Sequence, residues 1–179
     1  MVLSEYFISV DIETSGPVPG LFDMLSIGAV PIFGNATFHA FIEPHGGMID
    51  DEAMAATGLS YEDLKSEGAP PSAVIATFAN WIKENTPPHA TPVFVGFNAA
   101  FDWSFINYYF IKYAGKNPFG FTALDIKSFY MGKFSTSWKD TRSSRIDAEL
   151  NIERKPDHNA LHDAIYQAEL FRRIVNTQQ

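Results

Sequence analysis

Asp11 and Glu13 stand two residues apart at the end of an apolar run. Residues i and i+2 of a strand share a face, so both carboxylates can address one cation while Ile12 turns into the core. Asp102 closes the segment Gly96-Phe97-Asn98-Ala99-Ala100-Phe101-Asp102, in the first turn of an apolar helix. His158 and Asp163 lie in His158-Asn159-Ala160-Leu161-His162-Asp163, where a loop gives way to the last helix. Taken singly, these residues have ordinary readings: a solvated strand end, or an aspartate meeting a helix dipole. Taken together they have a chemical one. Two like charges ~4 Å apart repel by about 4 kcal/mol at an effective dielectric of ~20. Four converging carboxylates would titrate abnormally or require cations. All-oxygen ligation suits Mg²⁺ or Mn²⁺, and two such ions form a clamp for in-line phosphoryl displacement. A histidine alongside is the natural base for an attacking water.

His158 and His162 also have the i, i+4 spacing of a zinc helix. The residues between them lack the glutamate of His-Glu-x-x-His, and no further ligand is evident, so zinc is disfavoured. At roughly 100° per residue, His162 projects away from Asp163, towards solvent.

The elements that must position these groups follow from periodicity and turn chemistry. Tyr6–Asp11 and Leu25–Phe33 read as strands, and Gly34-Asn35 as a turn into a third strand, Ala36–Ile42. Asp50–Ala56 reads as a short helix ended by Gly58. A longer helix opens at Pro70-Pro71-Ser72 and runs to Asn85, with Val74, Ile75, Phe78, Trp81 and Ile82 at helical spacing. Pro92–Phe97 is a fourth strand, Ala100–Ala114 an aromatic-rich helix and Phe121–Ile126 a fifth strand. Gly132–Lys139 is polar and reads as a mobile loop, Ser143–Leu150 as a short helix, and Asn159–Val175 as the final helix. Trp103, Tyr108 and Tyr109 are assigned to core packing in preference to base stacking. Hairpins followed by crossovers imply an α/β fold with a mixed five-stranded sheet and helices on both faces. Asp11 and Asp102 fall at strand ends, where open α/β sheets place their ligands.

The 179 residues suffice for a single domain, 1–179, and no linker divides them. Cysteine is absent, which excludes disulfides and thiolate chemistry. No run has the length of a membrane span, and Met1–Glu5 lacks the pattern of a secretory signal, so a cytoplasmic protein is the simplest reading. The net charge of −8 argues at first against nucleic acid. Its distribution softens the objection: residues 1–126 carry −10, whereas residues 127–155 carry +3, from Lys127, Lys133, Lys139, Arg142, Arg145, Arg154 and Lys155. A phosphate chain could meet that segment; a solvated surface loop is the alternative.

Asp11-Ile12-Glu13-Thr14-Ser15-Gly16, then Asn98-Ala99-Ala100-Phe101-Asp102, then His158-x-Ala160-x-x-Asp163-Ala164 resembles the three motifs of the DEDDh 3′–5′ exonucleases, in order. The resemblance implies a ribonuclease H-like fold and release of nucleoside 5′-monophosphates from the 3′ end of single-stranded DNA or RNA. It implies that Asp11, Glu13 and Asp163 bind a first Mg²⁺, that Asp11 bridges to a second supported by Asp102, and that His158 is the base. Mn²⁺ could substitute. Thr14, Ser15 and Gly16 would approach the terminal nucleotide, with Asn98 and Phe101 flanking it. Two positions depart from many members: Phe97 replaces a histidine, and Ala56-Thr57-Gly58 replaces Val-His-Gly. Neither is a metal ligand. A non-catalytic nucleic-acid or polymerase-binding module and a small-molecule phosphatase are the competing readings. DNA against RNA preference, a homodimer and a polymerase partner are left open.

Overall fold

Ser4–Thr14 forms β1, and the rest of the molecule is arranged around it. Its antiparallel neighbour is β2 (Met24–Pro31), followed through the Gly34-Asn35 turn by the antiparallel β3 (Phe38–Phe41). On its other side β1 pairs in parallel with β4 (Ala90–Gly96), which pairs in parallel with β5 (Ala123–Asp125). The mixed sheet therefore has the order β3-β2-β1-β4-β5. The computed structural model describes residues 4–153 and 155–177, so Arg154 of the basic segment lies outside the described residues.

Alternation along β1 separates two cores. Ile8, Val10 and Ile12 point to one face, beneath α3 (Pro71–Asn85) and α4 (Ala100–Ala114). That face is dense in aromatics, with Phe78, Phe94, Phe105 and Phe110 fully buried. Tyr109 belongs to it, its hydroxyl accepting from Met24 N–H at 2.9 Å, and Trp103 packs on Phe94 and Phe119. Packing thus takes Tyr109 and Trp103, as their apolar helix required. The opposite face holds Val30, Val95 and the apolar side of α7 (Ala160–Asn176). Two faces each covered by helices are the expected layering.

Two local expectations are corrected. Gly132–Lys139 is no mobile loop: α5 (Ile126–Phe134) occupies its first part and a 3-10 turn (Trp138–Thr141) its second. Asp125 ends the fifth strand early and caps α5, its carboxylate accepting from Ser128 N–H at 2.8 Å. Ile126 and Tyr130, four residues apart, then anchor the helix in the second core. Besides α1 (Asp51–Thr57), a further short helix, α2 (Tyr61–Glu67), is present where no helix was expected. Ser60 caps it by accepting from Asp63 N–H at 3.2 Å, and its Tyr61 and Leu64 bury against Leu25. Seven residues show too little periodicity for a pattern-based assignment, but the Ser60 cap was a usable signal. The short helix expected at Ser143–Leu150 is present as α6.

The start of α7 lies unusually close to the sheet. A Cβ on Gly28 would overlap the Ala160 carbonyl group and the Leu161 nitrogen. Only glycine lets this helix terminus, and with it Asp163, settle on β2. Gly28→Ala is therefore expected to destabilise the fold by about 1–3 kcal/mol through overpacking, read as a lower urea midpoint at unchanged m.

Candidate active site

The parallel ladder between β1 and β4 ends at Ser9–Val95, while the ladder between β1 and β2 continues to Thr14. Beyond Ser9 the sheet thus opens into a crevice on one side of β1. Asp11, Glu13, Asp102, His158 and Asp163 all line the cavity there, about 280 Å³ in volume. Residues far apart in sequence are brought together as the spacing argument required. Oxygen or ring-nitrogen atoms of Glu13, His158 and Asp163 lie within 4.8 Å of one another.

Asp11, Asp102 and Asp163 are each held by hydrogen bonds that the surrounding elements supply. Ile12 N–H, past the end of the parallel ladder, donates to Asp102 Oδ1 at 3.2 Å. The turn into α4 is pinned in its turn, because Ala99 N–H donates to Asp125 Oδ1 at 3.0 Å. Asp163 accepts from the backbone N–H groups of Asp157 at 2.9 Å and His158 at 3.2 Å. This carboxylate therefore shapes the loop that carries the histidine, and two of its four lone-pair directions remain for a cation. His158 is exposed and sits at φ 59°, a left-handed conformation that costs a non-glycine residue roughly 1–2 kcal/mol. The loop enforces it.

Gln167 is a site residue that motif reading missed. Its side chain is buried, donating from Nε2 to Asp11 Oδ1 at 2.6 Å and accepting at Oε1 from Phe97 N–H at 2.9 Å. It fixes the Asp11 carboxylate relative to the loop before α4. The available signal was helical spacing: Gln167 is one turn beyond Asp163 and shares its face. Tyr166 also lines the cavity, and its hydroxyl donates to the buried Asp147 at 2.6 Å. Lys155 Nζ completes that group, 2.8 Å from the other Asp147 oxygen, and ties the histidine loop to α6.

The residues expected to meet substrate divide. Asn98 and Phe101 line the cavity, Asn98 at φ 65°. Thr14, Ser15 and Gly16 are buried and are not among the lining residues. Ser15 Oγ donates to Met48 O and accepts from Asp23 N–H, both at 2.9 Å, and a Cβ on Gly16 would overlap the Phe22 ring. Their side chains brace the loop that follows β1. His162 is exposed, with Nδ1 2.9 Å from Asp157 Oδ2, and lies outside the Glu13–His158–Asp163 group.

Burial and mutual repulsion dominate the electrostatics. Burial, then Asp102, Glu13 and Asp163, push the Asp11 carboxyl well above its ordinary range, against the Gln167 hydrogen bond. Glu13 is pushed from 4.5 to about 8 by burial, then by Asp163, Asp102 and Asp157. Burial takes Asp102 from 3.8 to about 7, with Asp163 adding to the rise, although its own N–H and that of Ile12 oppose it. Asp163 is raised by burial, partly offset by the two loop N–H groups. A pocket of carboxylates that resist ionisation is an incomplete site. Hard oxygen donors, a nearby imidazole and uncompensated charge together fit divalent cations of the Mg²⁺ or Mn²⁺ kind.

The sign of the linkage is fixed by these shifts. Glu13 holds a proton in the folded chain between about pH 4.5 and 8 that the unfolded chain has lost. Cation-free stability is therefore expected to fall as pH rises through that window. Millimolar Mg²⁺ should raise the melting temperature more at pH 8.5 than at pH 5, where protons compete for the same oxygens; scanning fluorimetry with and without EDTA reads both. Gln167→Leu keeps the volume but strands the Phe97 N–H. A loss of about 1–3 kcal/mol is expected in thermal melts, with weaker Mg²⁺ binding by calorimetry.

Comparison with known proteins identifies the family. The exonuclease family model named for RNase T matches residues 8–171. The chain is 52% identical over 171 residues to the 3′-5′ DNA exonuclease Cap18 of Escherichia coli, covering 95% of this chain and 91% of that protein. It is 25% identical over 175 residues to the PolC-type DNA polymerase III of Thermotoga maritima, covering 94% of this chain but only 12% of the polymerase. Among solved structures, the nuclease domain of 3′hExo, a DEDDh family member bound to rAMP, superposes with a TM-score of 0.79 at 14% identity, over 97% of this chain and 93% of that one. Exonuclease I of E. coli in complex with a dT13 oligonucleotide superposes with a TM-score of 0.78 at 17% identity, over 98% of this chain and 42% of that one. At such identities these two establish the fold, which is the ribonuclease H-like arrangement the motifs implied. The family match over nearly the whole chain, with the strong similarity to Cap18, places this protein in the RNase T exonuclease family.

Proposed function

We propose that this chain is a 3′–5′ exonuclease that removes nucleoside 5′-monophosphates from single-stranded nucleic acid with two divalent cations, Mg²⁺ or in its place Mn²⁺. The observation that carries the reading is the meeting of Asp11, Glu13, Asp102, Asp163 and His158 at one cavity. The 52% identical relative is named as a DNA exonuclease, which favours DNA over RNA. The likeness to part of a PolC-type polymerase keeps a polymerase among the candidate partners. Among the described residues no helix is long and apolar enough to cross a membrane.

Asp11, Glu13 and Asp163 would hold one cation, with Asp11 shared and Asp102 supporting the second. When bound, the pair supplies acidification of water and neutralisation of charge on the phosphoryl group. The protein's own contribution is to hold Asp11, Asp102 and Asp163 in fixed orientations, through Gln167, Ile12 N–H and the loop amides. His158 takes the proton of the attacking water. Its exposure gives that proton a direct exit to solvent, and its backbone anchorage to Asp163 leaves the ring free to reorient. Asn98 and Phe101 flank the terminal nucleotide, while Thr14–Gly16 brace the loop beside them.

A non-catalytic module would have little reason to retain four acids at a cost in stability, so the catalytic reading is preferred over it. End-labelled single strands incubated with Mg²⁺ should shorten stepwise to 5′-mononucleotides. Hydrolysis of free mononucleotides in place of strands would point instead to a phosphatase. Because His158 occupies a left-handed conformation, His158→Gly should keep stability within about 1 kcal/mol of the parent. Its kcat should nonetheless drop on the order of 10²- to 10⁴-fold; undiminished turnover would remove the histidine from the mechanism.

A further inference from the structure

The basic segment 127–155 sorts into spent and unspent charges once its contacts are known. Lys133 Nζ caps the end of α7, donating to Ile174 O at 2.6 Å and Val175 O at 2.9 Å. Arg145 pairs with Asp140, and Lys155 with the buried Asp147. Lys127 differs. Among the described residues no carboxylate lies within ion-pairing distance of it. Its ammonium stands over two aromatic rings, 4.3 Å from the centroid of Trp138 and 5.8 Å from that of Phe97. Phe97 lines the catalytic cavity, whereas Trp138 is 52% exposed on the 3-10 turn. A half-buried ring, an unpaired cation and an exposed indole thus lead outward from the site in an unbroken series.

Of the three tryptophans, Trp81 and Trp103 pack against the aromatic core while Trp138 is exposed, and Lys127 holds its ring in place from one side. Single-stranded nucleic acid is bound by this combination: a positive charge on the backbone and an aromatic face for a base.

We propose that Phe97, Lys127 and Trp138 form a subsite for the polynucleotide beyond its terminal residue, with a base stacked on Trp138 and a phosphate on Lys127. The proposal rests on the exonuclease reading and assigns the path by which the strand leaves the cavity. It makes activity depend on strand length: a dinucleotide ends before the indole, and a longer strand reaches it.

The test compares the parent with Trp138→Ala, Trp138→Phe and Lys127→Gln on oligo-dT of two to twelve nucleotides in Mg²⁺. Anisotropy of a labelled dT8 in Ca²⁺ reports binding separately. Trp138→Ala should raise KM for dT8 on the order of 10-fold, leave dinucleotide cleavage and the melting temperature unchanged, and be rescued by Trp138→Phe. Lys127→Gln should reduce the salt slope of binding by about 0.7. Equal losses on dinucleotide and dT8, or no loss on either, would overturn the subsite while the exonuclease reading stood. Trp138-dependent binding of dT8 by a parent that shortens no strand would do the reverse.

Discussion

Like-charge repulsion inside a crevice is the constraint on which this molecule turns. Where β4 stops pairing and β1 goes on, the sheet leaves strand edge uncovered, and three elements deliver carboxylates into the gap. Without cations, burial and mutual repulsion raise all four above their ordinary titration range. The fold must therefore be stable enough elsewhere to tolerate them. The aromatic core under α3 and α4 and the helix-covered second face supply that stability through ordinary apolar burial.

Restraint of the acids is distributed among backbone groups that secondary structure has left unpaired. Ile12 N–H is free for Asp102 because the parallel ladder has ended. The loop amides of Asp157 and His158 are free for Asp163 because α7 begins only at Ala160. Gln167 is the exception, a side chain that joins Asp11 to the Phe97 backbone. The same bonds that orient the ligands thus satisfy buried donors of the scaffold. Structural and functional demands coincide at these atoms, so a substitution at one of them disturbs both.

The mouth of the site is built differently from its centre. At the mouth, Phe97 contributes to the cavity wall and supports Lys127. The centre gathers Asp11, Glu13, Asp102, Asp163 and His158. Separate construction of rim and centre lets binding away from the reacting phosphate change without altering the charge that acts upon it.

The acids, the histidine and the strand–helix order were legible in the sequence because each is encoded locally. Alternation placed Asp11 and Glu13 on one face opposite Ile12, and helical spacing turned His162 away from Asp163. The short helix at Tyr61–Glu67 and the helix at Ile126–Phe134 were less legible: one is brief, and the other depends on Asp125 as a cap and on a core surface that the strand-like run before it concealed. The pairing of Gln167 with Asp11, the bracing roles of Ser15 and Gly16, and the placement of Lys127 between Phe97 and Trp138 belong to the tertiary structure alone. Residue type and spacing determine which groups can do chemistry and which face of their own element they occupy. Distances between elements are set by packing, and only the assembled sheet with its two helical layers decides which of those groups meet.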